Sequence, residues 1–128
     1  MQLKRLILLT PYDQDTNDHE IDYIRQIGLT VVHDVALALP GSDQYLAQPP
    51  ERWVALAVEH ARNDADGYFL SCTNTTQIEA IEPIERRLGK PVVNSNQAVL
   101  WACMKRLRPK LGGAEPAPGL GRLVAGGL

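Results

Sequence analysis

Four short apolar runs, each ending in polar residues that lead into a helical stripe, constrain this 128-residue chain more than any other feature. Leu6 to Leu9 is apolar throughout and stops at Thr10-Pro11-Tyr12, so it reads as a strand covered on both faces. Asp15, Thr16 or Asn17 is placed to cap a following helix that carries Ile21, Ile24 and Ile27, with Gly28 at its left-handed end. Leu29 to Val35 forms a second strand. A loop from Ala36 to about Gln48, with Pro40-Gly41-Ser42-Asp43 inside it, is long for an α/β connection and is a candidate lid. Pro49-Pro50 pre-sets the next helix, whose stripe is Trp53, Val54, Ala57, Val58 and Ala61. Tyr68 to Ser71 is the third strand and ends in the polar cluster Cys72 to Thr76. Ile78 and Ile81 mark a short helical turn, Pro83 opens the helix proper and Gly89 closes it. Pro91 to Val93 is a fourth strand, and Asn94-Ser95-Asn96 caps a last helix with Val99, Cys103 and Leu107 on one stripe.

Strands that alternate with helices require a parallel sheet with right-handed crossovers. The predicted fold is a flavodoxin-like α/β sandwich, with four parallel strands in the order 2-1-3-4 and helices on both faces. Residues 1–110 form this single lobe. Residues 111–128 are a Gly/Pro-rich tail, and from Gly112 to Leu128 they are expected to be loose.

Charge and composition remove several functional classes. Thirteen Lys and Arg nearly balance fifteen Asp and Glu, so there is no one-sign field to attract nucleic acid or an anionic membrane. No apolar stretch approaches the roughly 20 residues of a membrane span. Met1 to Arg5 runs straight into the first strand without a secretory pattern, which predicts a cytoplasmic chain. Two cysteines, Cys72 and Cys103, are too few for a disulfide scaffold or a cysteine zinc site. His19, His33 and His60 have no partners at recognised metal spacing, and neither a Walker loop nor a strand-linked G-x-G-x-x-G is present, so neither metal nor nucleotide cofactor is expected.

Ligands of open parallel sheets bind at the carboxyl ends of the strands. Thr10-Pro11-Tyr12, Ser71 to Thr76 and Asn94-Ser95-Asn96 all fall there. Cys72 stands between a strand and a helical turn, where backbone N–H groups favour a thiolate that can take a proton and, as the thiol, give it back. Thr73, Asn74, Thr75 and Thr76 add donors for a carboxylate beside it. The alternative is that Cys72 is a small hydrophobe closing a strand. Tyr12 either points its hydroxyl at the same anion or merely ends its strand. Asn94 and Asn96 are helix caps by default, with substrate contact the less common role. Cys103 shares a stripe with Val99 and Leu107 and is expected to face the core.

Taken in order, several segments resemble one known group. They are Thr10-Pro11-Tyr12 with Asn17, Asp66 to Asn74, Ile81 to Glu85, and Gly89 to Ala98. The group is the Asp/Glu racemase superfamily, within it the second halves of maleate cis-trans isomerases and arylmalonate decarboxylases. The tail segment Pro118 to Leu123 is similar to the carboxyl end of the decarboxylases.

The resemblance implies one lobe of a two-lobed, cofactor-independent enzyme in which each lobe supplies a cysteine to opposite faces of a small carboxylate. Cys72 would be the second cysteine and handle the proton. Tyr12, Thr73, Asn74, Thr10 and Asn94 would bind substrate. The Ser-Cys-Thr-Asn sequence points to the isomerases, with racemase or decarboxylase lobes and a non-catalytic carboxylate-binding module as alternatives. The first lobe, with its own cysteine, has no counterpart here, and the loop from Ala36 to Gln48 lacks the asparagine that maleate isomerases carry. A second lobe or a second copy of the chain is therefore the implied partner.

Overall fold

The computed structural model describes residues 3–107, 110 and 118–126. Strand β1 (Arg5–Thr10) is central because every residue after Arg5 is apolar or small enough to be buried on both sides. It pairs in parallel with β2 (Thr30–Ala36), from Arg5↔Thr30 to Thr10↔Ala36, and with β3 (Gly67–Leu70), from Leu6↔Gly67 to Leu9↔Leu70. Strand β4 (Val92–Asn94) pairs with β3, from Tyr68↔Val92 to Leu70↔Asn94. The order β2-β1-β3-β4 is the one the alternation of strands and helices predicts.

Helix α1 (Gln14–Gln26) follows β1, and its cap is Asp13, whose carboxylate accepts from the Thr16 N–H at 2.8 Å. The cap thus lies two residues before the earliest candidate, because the Asp13 carboxylate already reaches a free N–H of the first turn. Helix α2 (Ser42–Ala47) occupies the loop expected to be a lid. Helix α3 (Pro50–Glu59) starts on its proline, α4 (Ile81–Leu88) follows a 3-10 turn at Gln77–Ala80, and α5 (Ser95–Leu107) follows β4. Gly89 ends α4 at φ 68, the left-handed conformation that glycine adopts without a Cβ clash.

The two faces of the sheet are covered unequally. On one, Ile7, Leu9, Tyr68, Leu70 and Val92 pack against Trp53, Leu56 and Ala57 of α3 and Ile81 and Ile84 of α4. Each such side chain contributes about 1.5–3 kcal/mol by leaving water. On the other, Leu6, Phe69 and Val93 line a groove of about 320 Å³ along Ile24 and Ile27 of α1. Among the described residues no helix is long and apolar enough to cross a membrane.

Two expectations are corrected. Residues 118–126 are not loose: they end in helix α6 (Gly121–Ala125), which packs on α4, α5 and β4 and buries Val124. The rest of the tail, residues 111–117 and 127–128, lies outside the described residues. So short a helix has no sequence periodicity to reveal it and forms only through tertiary contacts. Cys103 is exposed, as are Val99 and Leu107, so the supposed core stripe of α5 faces outward. Helix α5 instead turns its first residues inward, burying Gln97.

Candidate functional site

The carboxyl ends of β1, β3 and β4 bring together Thr10-Pro11-Tyr12, Ser71-Cys72-Thr73-Asn74 and Asn94-Ser95-Asn96. Cys72 follows β3 directly and has φ 123, a conformation that L residues rarely adopt and that costs on the order of 1–3 kcal/mol. Such a residue persists only where its neighbours hold it. The Cys72 N–H donates to Ser95 Oγ at 3.2 Å, and the Asn74 N–H donates to Cys72 Sγ at 3.4 Å. The residue is 7% exposed and lies outside the aliphatic cluster of the core. Its sulfur therefore has polar company and a donor, as a proton-exchanging thiol requires.

Tyr12 is half-buried beside this sulfur. Burial pushes its phenol up to about 12, the Ser71 side chain draws it down, and the Cys72 side chain pushes it up again. The phenol therefore stays protonated across the physiological range and can donate to an anion. Glu20 of α1 reaches the same corner, where burial raises its carboxyl and the Ser71 hydroxyl partly offsets that rise. Neither Glu20 nor Ser71 stood out in the sequence: Glu20 is one acid among several on an exposed helix, and Ser71 reads as the last residue of a strand.

Thr73 is exposed at the rim, and its carbonyl accepts from Asn96 Nδ2 at 2.9 Å. Asn74 spends its side chain on the candidate lid, donating to Ser42 O at 3.1 Å and Ser42 Oγ at 2.9 Å. Thr76 donates to Gln48 O at 2.6 Å, and Tyr12 meets Tyr45 of α2 edge-on with ring centroids 6.1 Å apart. The Ala38 and Leu39 N–H groups bond the Tyr12 and Pro11 carbonyls at 2.8 and 3.0 Å. Segment 37–48 is thus fastened along the rim of the site. The Thr75 hydroxyl is buried without a partner.

Thr10 and Asn94 sit differently from the substrate contacts the resemblance implies. Both are fully buried. Thr10 Oγ1 donates to Asn17 Oδ1 at 2.7 Å, and Asn17 Nδ2 donates to Asp34 Oδ2 at 2.8 Å. Asn94 Nδ2 donates to Leu70 O at 3.1 Å and Gln77 Oε1 at 2.9 Å, while its Oδ1 accepts from the Asn96 N–H at 2.9 Å. Strand ends point alternate side chains into the protein, and these two point there, so they position the rim from beneath. As a helix cap, Asn94 does what its default role predicts.

The histidines lie apart from the site: His33 Nε2 and His60 Nδ1 are 2.9 Å apart, and His19 Nδ1 is 2.7 Å from Asp15 O. Among the described residues no cluster of three or more His, Cys, Asp or Glu could hold a metal ion.

The sequence and fold of the chain are similar to those of known proteins. Arylmalonate decarboxylase of Bordetella bronchiseptica is 32% identical over 123 residues, covering 94% of this chain and 50% of its own length. Maleate isomerase of Geobacillus stearothermophilus is 26% identical over 124 residues, covering 96% of this chain and 48% of its own. The structure of a maleate isomerase variant from Pseudomonas putida S16 with maleate superposes with a TM-score of 0.87 at 26% identity, over 97% of this chain and 48% of that one. The chain thus spans about half the length of the relatives it matches. A family model described as arylmalonate decarboxylase matches residues 1–124, and the chain belongs to that family.

Proposed function

We propose that this chain is one lobe of a cofactor-independent isomerase acting on a small dicarboxylate, of the maleate-to-fumarate type, with Cys72 as the proton-handling thiol. The observation that carries this reading is Cys72 itself, held at φ 123 with an N–H aimed at its sulfur and a neutral phenol beside it. In the reaction, a thiolate from the opposing lobe adds to one alkene carbon while the Cys72 thiol protonates the other. The former double bond rotates, the Cys72 thiolate takes a proton back, and the first sulfur leaves with its electron pair. Atoms and charge balance without an external acid or oxidant, but two thiols on opposite faces are needed, so Cys72 supplies half of the chemistry.

Tyr12 and the backbone of Thr73 and Asn74 cradle a substrate carboxylate in this reading, with Thr10 and Asn94 supporting them. A Pseudomonas putida maleate isomerase crystallised with maleate as a cysteine-to-alanine variant supports the substrate class. A second reading, a decarboxylase lobe, is favoured by the higher identity of the Bordetella bronchiseptica enzyme. A dicarboxylate-binding module without turnover is the third.

The test pairs this chain, fused or co-produced, with the first lobe of a maleate isomerase, and follows maleate, an arylmalonate and aspartate by proton NMR. Fumarate formation that falls by about a thousand-fold in Cys72→Ser supports the isomerase. Carbon dioxide release from the arylmalonate alone replaces it with the decarboxylase. Binding without turnover of any substrate leaves only the module.

A further inference from the structure

The buried amides behind Cys72 form a connected path to the C-terminal segment. Gln97 Nε2 donates to the carbonyl of Leu120, and Gln97 Oε1 accepts from the Asn94 N–H at 3.1 Å. Asn94 Nδ2 continues to Leu70 O and Gln77 Oε1, and Gln77 Nε2 donates to Ser71 O at 3.4 Å. Asn96, on the first turn of α5, holds the carbonyl on the other side of Cys72, that of Thr73. Ser95 accepts from the Cys72 N–H itself. Gln77, Asn94 and Gln97 are all fully buried. A buried polar network with every member satisfied admits one arrangement, because any displacement leaves amide groups unpaired in a low-dielectric interior. The strained backbone of Cys72 needs such an over-determined setting.

The far end of the path is anchored independently. The Arg122 N–H donates to Glu85 Oε2 at 2.9 Å, while Glu85 Oε1 accepts from the Val92 N–H at the start of β4 at 3.0 Å. The Gly119 N–H donates to Glu82 Oε1 at 3.1 Å, and the Arg122 guanidinium reaches Gly89 O at 2.8 Å. Gly121 is wedged at φ 68 where a Cβ would collide with Ile81 Cγ2 and stand 3.3 Å from Gln97 Nε2. Val124 completes the seat.

We propose that residues 118–126 are a strap that sets the geometry of the Cys72 loop, with Gln97 as the positioning residue that transmits it through Asn94. The strap rests on Cys72 being the functional centre only for its purpose; its mechanics stand on the hydrogen bonds alone. It gives the docked tail a task beyond covering α4 and α5.

The experiment is amide hydrogen exchange on the whole chain, read residue by residue. Gly121→Ala forces α6 off its seat without touching the Cys72 loop, and Val124→Asp does so by burying a carboxylate. In either variant, exchange at Arg122 and Val124 is expected to rise about ten-fold or more, with Cys72, Asn74 and Asn96 following by at least about five-fold and Leu8 unchanged. Faster exchange in α6 with Cys72 and Asn74 within two-fold of the parent chain overturns the strap. Should both variants unfold, the parent chain decides: Cys72 and Asn74 must open with the same constant as Arg122 within about ten-fold, and a wider gap overturns the proposal. Iodoacetamide alkylation of Cys72 in a Cys103→Ser background then separates the two ideas. Cys72 inert at every pH removes the proposed chemistry while leaving the exchange result to judge the strap, and a Gln97→Leu variant in which exchange at Cys72 and Asn74 stays within two-fold of the parent chain overturns the positioning role.

Discussion

The two cysteines of this chain stand for two kinds of surface. Cys72 sits in a loop where both neighbouring carbonyls, its own N–H and its sulfur are each assigned a partner, and where its backbone is strained. Cys103 is exposed on α5, in ordinary helix, and no hydrogen bond to its sulfur is found among the described residues. The same residue type is constrained from every side in one place and free in the other. The difference teaches that helical periodicity misplaced Cys103, whereas the polar cluster after β3 already marked Cys72 and its hydrogen-bond partners show what holds it.

The sharpest way to test the contrast is to remove what holds the first loop. Asn94→Ala leaves Gln77 Oε1, Leu70 O and the first N–H groups of α5 without partners, and should cost about 3 kcal/mol of unfolding free energy by denaturant titration. Lys105→Ala, which removes only the cation–π contact with Trp101 on the same helix as Cys103, should cost about 0.5 kcal/mol. Equal effects would erase the distinction between the two regions.

Labelling comes next in size. A bulky aromatic disulfide should modify Cys103 about fifty-fold faster than Cys72 in the folded chain, and the two should converge in denaturant. Comparable rates before unfolding would mean that the Cys72 loop opens freely.

Glycine substitution should act with opposite signs. Cys103→Gly loses helix propensity and should destabilise by about 0.3–0.5 kcal/mol. Cys72→Gly relieves a positive φ and should leave stability unchanged or raise it by up to about 1 kcal/mol, the lost side-chain burial offsetting part of the gain. A loss of stability at Cys72 as large as that at Cys103 would show that its conformation carries no strain.

The last effect concerns pH. An unfolded tyrosine ionises near 10, while Tyr12 in the fold holds its proton to about 12, chiefly through burial. Across that window the unfolded chain has released a proton that the folded chain keeps. Stability is therefore complete below pH 10 and declines as pH rises towards 12. Tyr68, raised by burial in the core, adds to the decline with the same sign. Tyr12→Phe should flatten the decline measurably in thermal melts between pH 9 and about 11.5, and an unchanged slope would place Tyr12 in water.

Much of this molecule was legible in its residues. Apolar runs such as Leu6–Leu9 and the alternation of strand with helix determine the parallel sheet, because only stacked βαβ units bury such runs on both faces. The polar clusters after β1, β3 and β4 lie together because the carboxyl ends of parallel strands share one edge, which is where a ligand site is expected. Tertiary structure alone decided which side chains of those clusters face outward. Thr10 and Asn94 turned inward because their neighbours offered buried partners, and Tyr12 stayed at the rim beside Cys72. It likewise decided the seat of α6 and the outward turn of Cys103. A five-residue helix and one face of an amphipathic one have too little local preference to choose, so long-range contacts such as Glu85 with Arg122 and Gln97 with Leu120 made the choice.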